Sequence, residues 1–174
     1  MDAGVTISLV AAITKDTHII GTEGKLPWHL SDDLKHFKKL TVGKTVMLGR
    51  KTQDSIIARL GHSLPERRTI VLTRDINYQC KDCERATSWT EAMDLVKNDR
   101  KIFVIGGSEI YKLALPYASK MYLTLVDGNI TGDTYFPEFD AKAWDWKLEK
   151  EHPKDEKNEY NFSWWTLTKK KSYE

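Results

Sequence analysis

Residues 102–111 read IFVIGGSEIY: an apolar run, a glycine pair, and then Ser108-Glu109-Ile110-Tyr111 opening a helix. A strand apolar on both faces belongs inside a parallel sheet with helices on each side, because a sheet with one wet face would alternate. Two earlier segments share the design: VMLGRKT (residues 46–52) and IVLTR (residues 70–74) each run from a buried strand into a turn. In open parallel sheets the carboxyl ends of the strands form the ligand crevice, and glycines that open a helix let backbone N–H groups approach a phosphate. The Gly106-Gly107 pair is not the GxGxxG dinucleotide fingerprint, and by itself it marks only a tight turn.

Short β-branched runs recur on both sides of this segment, at Thr6–Ile13, Thr45–Leu48, Thr69–Thr73, Ile102–Ile105, Met121–Val126, Trp146–Lys150 and Phe162–Thr168. They amount to seven or more strands. Helix starts lie between the early strands: Ser31 ahead of DDLKHF, and a capping box of Ser88 and Glu91 ahead of AMDLVK. Strand and helix alternate to about residue 120, which implies right-handed crossovers and a mainly parallel sheet covered on both faces. The last two strands are joined by the charged loop HPKDEKNEYN without a helix, so they form an antiparallel hairpin at one sheet edge.

A chain of 174 residues suits one domain, here 1–174, since this size buries roughly 70% of the unfolded surface. With 40% hydrophobic and 30% charged residues, ten Gly and five Pro, the composition excludes a disordered or fibrous protein. The net charge of +2 announces neither a nucleic-acid nor a membrane partner, and Lys169-Lys170-Lys171 reads as a solvated tail. The N-terminal MDAGVTISLVAAITKD has no basic start and no cleavage signature, and no later run approaches the ~20 apolar residues that span a bilayer. The chain therefore reads as cytoplasmic. Cys80 and Cys83 form a CxxC that could be half a zinc site, a redox pair or two loop thiols. With no second CxxC and no strand-to-helix setting, two reduced thiols is the reading.

The segment THIIGTEGKLPWHL is longer than a turn needs and places Gly21, Gly24, Pro27 and Trp28 among apolar residues. It is either a lid or a plain connection with its Trp tucked into the core. In the helix that follows, Leu30, Asp33, Leu34, Phe37 and Leu40 fall on one arc of roughly 120° at about 100° per residue. Asp33 thus sits inside the apolar stripe, whereas Asp32 points about 100° away, toward Lys39 and His36, and simply favours the helix dipole. A buried carboxylate persists only if it is hydrogen-bonded, paired or used. Asp33 either caps neighbouring backbone or forms the floor of an apolar pocket awaiting a ligand with amidine-like N–H donors.

Arg50, Lys51 and Arg74 stand at corresponding ends of two strands. They either converge on one strongly anionic group such as a 2′-phosphate or are solvated surface charges. No GxSxG elbow and no metal-ligand cluster is present, and the five histidines are scattered in polar company; no metal is expected.

Taken in order, SLVAAI, IGTEGKLPWHLSDDLKHFKKLT, VMLGRKTQDSI, LPERRTIVLTR, IFVIGGSEIY, YLTLVD and GDTYFPEF resemble the dihydrofolate reductase family over nearly the whole chain. The resemblance implies an α/β single domain with a mainly parallel, twisted eight-stranded sheet, an antiparallel C-terminal edge hairpin and helices on both faces. It implies NADPH as cofactor, dihydrofolate and antifolate inhibitors as ligands, and a monomer. Asp33 would be the single acidic active-site residue, bonding the 2-amino group and N3 of the pteridine and promoting protonation at N5 through ordered water, with Thr124 supporting it. Leu26 and Trp28 would belong to the loop that closes on the nicotinamide.

The same resemblance places Val10, Ala12, Phe37, Ile56, Leu64 and Ile105 around the folate, and Arg67 on the α-carboxylate of the glutamate tail. On the cofactor side it places Ala12, Ile20, Gly21, Gly49, Arg50, Lys51 and Thr52. Leu72, Thr73 and Arg74 follow, and then Ile105, Gly106, Gly107, Ser108, Glu109, Ile110 and Tyr111. Gln53 departs from the family's usual aromatic residue, and IIARLGHSLPERR is longer than the usual connection. Two rival readings are a pyrimidine reductase of riboflavin synthesis, against which the acidic helix residue speaks, and a non-catalytic NADP- or nucleic-acid-binding module on the same sheet.

Overall fold

A computed structural model describes residues 4–22 and 25–171, so Gly24 of the long loop lies outside the described residues. The elements run β1 (Thr6–Thr14), β2 (Ile19–Gly21), α1 (Ser31–Thr41), β3 (Thr45–Gly49), α2 (Arg50–Leu60), β4 (Arg68–Leu72) and β5 (Glu84–Ala86). They continue through α3 (Trp89–Leu95), β6 (Lys101–Val104), α4 (Ser108–Ala114), β7 (Lys120–Asp127), β8 (Thr134–Tyr135), β9 (Trp144–His152) and β10 (Asn161–Lys169). Eight strands form one sheet in the order β5-β4-β3-β6-β1-β7-β10-β9, and β2 pairs with β8 in a small second sheet. From β5 to β7 every pairing is parallel. The hairpin of β9 and β10 joins antiparallel, with β10 against β7, as the charged loop between them required.

The central strands explain the apolar runs. Leu9, Met47, Leu48, Ile102 and Val104 have no measurable exposure, because helices cover both faces of the sheet. On one face, Ala92 of α3 and Tyr111 and Ala114 of α4 pack against Ile7, Leu9, Met47 and Ile70. On the other, Ile56 of α2 and Phe37 of α1 pack against Val10, Val46, Leu48, Val71 and Phe103. The outer strand β9 is exposed along almost its whole length, and Lys147, Glu149, Lys150 and Glu151 guard that edge against further strand pairing.

Three strands have no signal in the sequence: β2, β5 and β8 are two or three residues long, too short for a period to show. No helix separates β4 from β5. Their connection carries Cys80 and Cys83, which are joined as a disulfide with Cα atoms 5.3 Å apart, correcting the reading of two reduced thiols. Asp82, with φ +56°, adopts the left-handed turn that brings the two cysteines together.

Candidate functional site

The start of α1 is held from outside. Ser31 is its first residue and not its cap, and the N-cap position, Leu30, makes no side-chain cap bond. Instead the Ser31 N–H donates to Lys157 O at 3.2 Å and the Asp32 N–H to Asn158 Oδ1 at 3.1 Å. The buried Asn158 returns its amide N–H groups to Asp32 Oδ2 and Asp155 Oδ1, both at 2.9 Å. Asp32 therefore does more than complement the helix dipole: it latches α1 to the β9–β10 loop, and the Asn158 bond holds its carboxyl below the usual carboxylate range.

One turn of this fixed helix carries Asp33 over the sheet. Its Oδ1 accepts from Thr124 Oγ1 at 2.6 Å and from Trp164 Nε1 at 2.9 Å. Oδ2 accepts no hydrogen bond from the described residues, and no cation among them lies within ion-pair distance of Asp33. Burial raises the carboxyl's pKa, opposed by the two donors and by the charge of His36. Thr124 stands in β7 next to Ala12 of β1 and opposite Trp164 of β10, so three strands converge beneath one carboxylate.

Beyond Asp33, Val10, Phe37, Ile56, Leu64 and Ile105 belong to one apolar cluster between α1, α2 and the sheet. Leu34 lies on the stripe but is 44% exposed. At the far end Arg67 stands 6.0 Å from the centroid of the Phe37 ring. Its Nε donates to Pro65 O at 2.8 Å and its Nη1 to Thr41 Oγ1 at 3.2 Å. Both acceptors are neutral, and burial lowers the guanidinium's pKa. Such a group, oriented and still charged, is a receptor for a carboxylate.

The strand ends form the second half of the site. Gly49 and Gly107 are the N-cap residues of α2 and α4, neither with a side-chain cap, and the Gly49 N–H donates to Gly106 O at 2.9 Å. The Gly106–Gly107 peptide is cis. Gly106 has φ +121°, and a Cβ there would meet the Tyr111 ring at 3.3 Å, so only glycine fits. Thr52 stands within 3.4 Å of where a Gly107 Cβ would be. Ser108 Oγ donates to Tyr135 O, while Glu109 is exposed and Ile110 half-buried. Tyr111 lies in the core, its hydroxyl on Val10 O at 2.6 Å.

Arg50 and Lys51 open α2 after β3, and Thr73 and Arg74 follow Leu72 at the end of the adjacent strand β4. Arg50 is engaged with Asp54 at 3.0 Å, and Asp54 also accepts from the Tyr78 hydroxyl at 3.0 Å. The exposed Lys51 and Arg74 belong to no ion pair among the described residues. These residues fit a phosphorylated dinucleotide: uncapped helix starts, a backbone cradle that a Cβ would fill, and cations around it. Ile20 and Gly21 lie in β2 with Ile20 half-buried and Gly21 buried, whereas Leu26 is 48% exposed. Trp28 is buried with Leu30, Val126, Ile130 and Phe162, alongside Ala12 and Trp164.

Gln53 is fully buried, and its amide donates to Ser63 Oγ at 2.7 Å, which itself donates to Lys81 O. That partner satisfies the amide N–H end of a polar side chain in a core position of α2, while its Oε1 has no hydrogen-bond partner among the described residues. Two sequence readings need correction. The histidines are not all in polar company: His36 stacks on Trp164 at 4.1 Å and His152 on Phe162 at 4.7 Å. A potential ligand cluster also exists, since Asp32 of α1 meets His152 and Asp155 from the far end of the chain. The Asn158 amide already bonds both of its carboxylates.

Trp164 and Asn158 are the residues sequence reasoning missed. Only the β7–β10 register, which no local pattern encodes, brings Trp164 to Asp33.

Comparison with known proteins agrees with this geometry. The dihydrofolate reductase family profile matches residues 6–169. The type 3 dihydrofolate reductase of Salmonella typhimurium is 39% identical over 165 residues, covering 95% of this chain and 99% of that one. The dihydrofolate reductase of Buchnera aphidicola subsp. Schizaphis graminum is 45% identical, covering 94% and 99%. Among solved structures, dihydrofolate reductase from Enterococcus faecalis complexed with NADP(H) and RAB-propyl superposes with a TM-score of 0.83 at 34% identity, covering 97% and 99%. A profile match across almost the whole chain, relatives at this identity and the same sheet leave one conclusion: the chain belongs to the dihydrofolate reductase family.

Proposed function

We propose that residues 1–174 work as one domain and one monomeric catalyst, and that the NADPH-dependent reduction of 7,8-dihydrofolate to tetrahydrofolate takes place between α1 and the strand ends, with Asp33 as its acidic group. The observation that carries this assignment is a half-buried carboxylate on an apolar stripe, with one oxygen held by two neutral donors and the other without a hydrogen-bond partner among the described residues. Bound NADPH supplies the hydride to C6 of the pterin. Oδ2 of Asp33 accepts from the 2-amino group and N3, which fixes the ring and favours a proton at N5 through ordered water. Thr124 holds the opposite oxygen, Val10, Ala12, Phe37, Ile56, Leu64 and Ile105 exclude water, and Arg67 takes the α-carboxylate of the glutamate tail. Leu26 and Trp28 close the nicotinamide end.

On the cofactor side, the α2 and α4 starts at Gly49 and Gly107 hold the pyrophosphate, while Arg50, Lys51 and Arg74 take the 2′-phosphate. Antifolates that mimic the pterin's donor pair bind the same carboxylate. The reaction is tested by mixing the protein with NADPH and dihydrofolate and following the loss of reduced-nicotinamide absorbance, with NADH and Asp33→Asn alongside. Turnover that prefers NADPH and requires Asp33 is the expected result. A folded, NADPH-binding protein without turnover would overturn the assignment.

A further inference from the structure

We infer that Trp164 is a positioning residue for the reduction: its indole N–H, acting with the Thr124 hydroxyl on the same oxygen of Asp33, fixes the carboxylate plane and turns Oδ2 toward the pterin. The inference rests on Asp33 being the pterin's acceptor. Two donors converge on Oδ1, at 2.6 Å from Thr124 and 2.9 Å from Trp164, and together they remove the torsional freedom that a carboxylate held by one hydroxyl retains. The indole cannot swing away, because His36 stacks on it at 4.1 Å with an interplanar angle of 13° and Lys150 covers it at 5.9 Å. Phe162 packs tilted against it at 5.8 Å.

A donor to the ionised carboxylate favours that form, so the indole also opposes the burial that raises the Asp33 pKa. Among the described residues, β7 and β10 present to Asp33 the neutral Thr124 and Trp164, and the charged group acting on it is His36 of its own helix. His36 is itself held toward its neutral form by burial. Without the indole N–H, Asp33 is therefore left, among the described residues, with the Thr124 hydroxyl and the weakened charge of His36 to offset its desolvation.

The test is the pH profile of kcat/KM for dihydrofolate in Trp164→Phe, which keeps an aromatic ring under His36 and removes the donor together with part of the indole's bulk. The acid limb, which reports the free enzyme's Asp33, is expected to move up by about one pH unit, with the NADPH dissociation constant unchanged within twofold. A purely structural Trp164 would lower activity at every pH and leave the limb in place, and that outcome overturns the inference. Independently of any destabilised variant, the ¹⁵N-indole resonance of Trp164 in the unsubstituted protein should titrate with Asp33 and lose that titration in Asp33→Asn; an indole shift indifferent to Asp33 also overturns it. If Asp33→Asn retained full turnover, the assignment of Asp33 would fall and this inference with it. If Asp33→Asn is inactive while Trp164→Phe keeps the parent profile, only the role of Trp164 falls.

Discussion

Replacing Tyr111 by Phe should destabilise the protein at neutral pH and leave it unaffected near pH 11. The hydroxyl lies in the core and donates to Val10 O at 2.6 Å, and the ring is 5% exposed. Removing one buried donor and leaving its carbonyl acceptor short of a partner costs about 1–2 kcal/mol. In a protein of this length that lowers Tm by roughly 3–6 °C. Burial raises the phenol's pKa well above its ordinary value, whereas in the unfolded chain it ionises near pH 10.

A group whose folded pKa is raised contributes stability that is fully present below the unfolded pKa and is lost as pH climbs toward the folded one. By pH 11 the unfolded state gains about 1.4 kcal/mol by ionising this phenol, while the folded state gains nothing. That figure is close to the hydrogen bond's own contribution, so the advantage of Tyr over Phe should vanish between pH 9 and pH 11. Urea unfolding followed by far-UV circular dichroism, run on both proteins across this range, measures the difference directly, because every other titrating group is common to the two. Parallel stability curves for the two proteins would refute the reasoning, since they would mean that the folded state ionises Tyr111 without resistance.

Arg67→Leu should raise KM for dihydrofolate about 10- to 100-fold, the worth of a charge-assisted carboxylate contact, with NADPH affinity unchanged; a matching loss of NADPH binding in titration would count against its place at the glutamate tail. Asp54→Asn should release Arg50 from its exposed ion pair and tighten NADPH by no more than about fivefold, since such pairs contribute under ~1 kcal/mol. NADH binding should stay as it was, and equal tightening of both nucleotides would remove Arg50 from the 2′-phosphate. Gly132→Ala should destabilise by about 1–3 kcal/mol, because the added Cβ would stand 2.6 Å from Gly21 O and 2.5 Å from Ile19 Cγ2; thermal unfolding within error of the parent would show that β2 yields freely. Reducing Cys80–Cys83 with dithiothreitol should lower stability by at most about 2 kcal/mol, because the ring it closes is short, and should leave the initial turnover rate intact.

Much of this architecture was legible because the physics is local. The runs at Ile102–Val104 and Thr45–Leu48 are apolar throughout, since their strands are buried on both faces, and Ser88 caps α3 as its sequence announces, with Glu91 reaching back to Thr87. The charged loop before Asn161 made the terminal hairpin unavoidable. Other features were hidden because their cause is distant. Ser31 looks like a cap, yet Asn158 and Lys157 supply the acceptors from 126 residues along the chain, and a side chain satisfied by its neighbour's fold leaves no mark on its own helix. The Cys80–Cys83 bridge depends on a left-handed Asp82, a conformation that spacing alone does not disclose.

Asp33 shows where local reading stops. Its place on the apolar arc of α1 says that a polar partner must exist, because an unpaired carboxylate in such surroundings is costly. The arc alone leaves backbone, cation and ligand as equal candidates. Among the described residues the fold removes the first two: both donors sit on Oδ1, they come from β7 and β10, and neither is charged. Had either donor been a lysine or arginine, the carboxylate would be neutralised within the protein and would gain little from a ligand's N–H groups. Because the donors are a hydroxyl and an indole, the charge is oriented and only partly satisfied. The remaining attraction is therefore available to the N–H donors of a ligand.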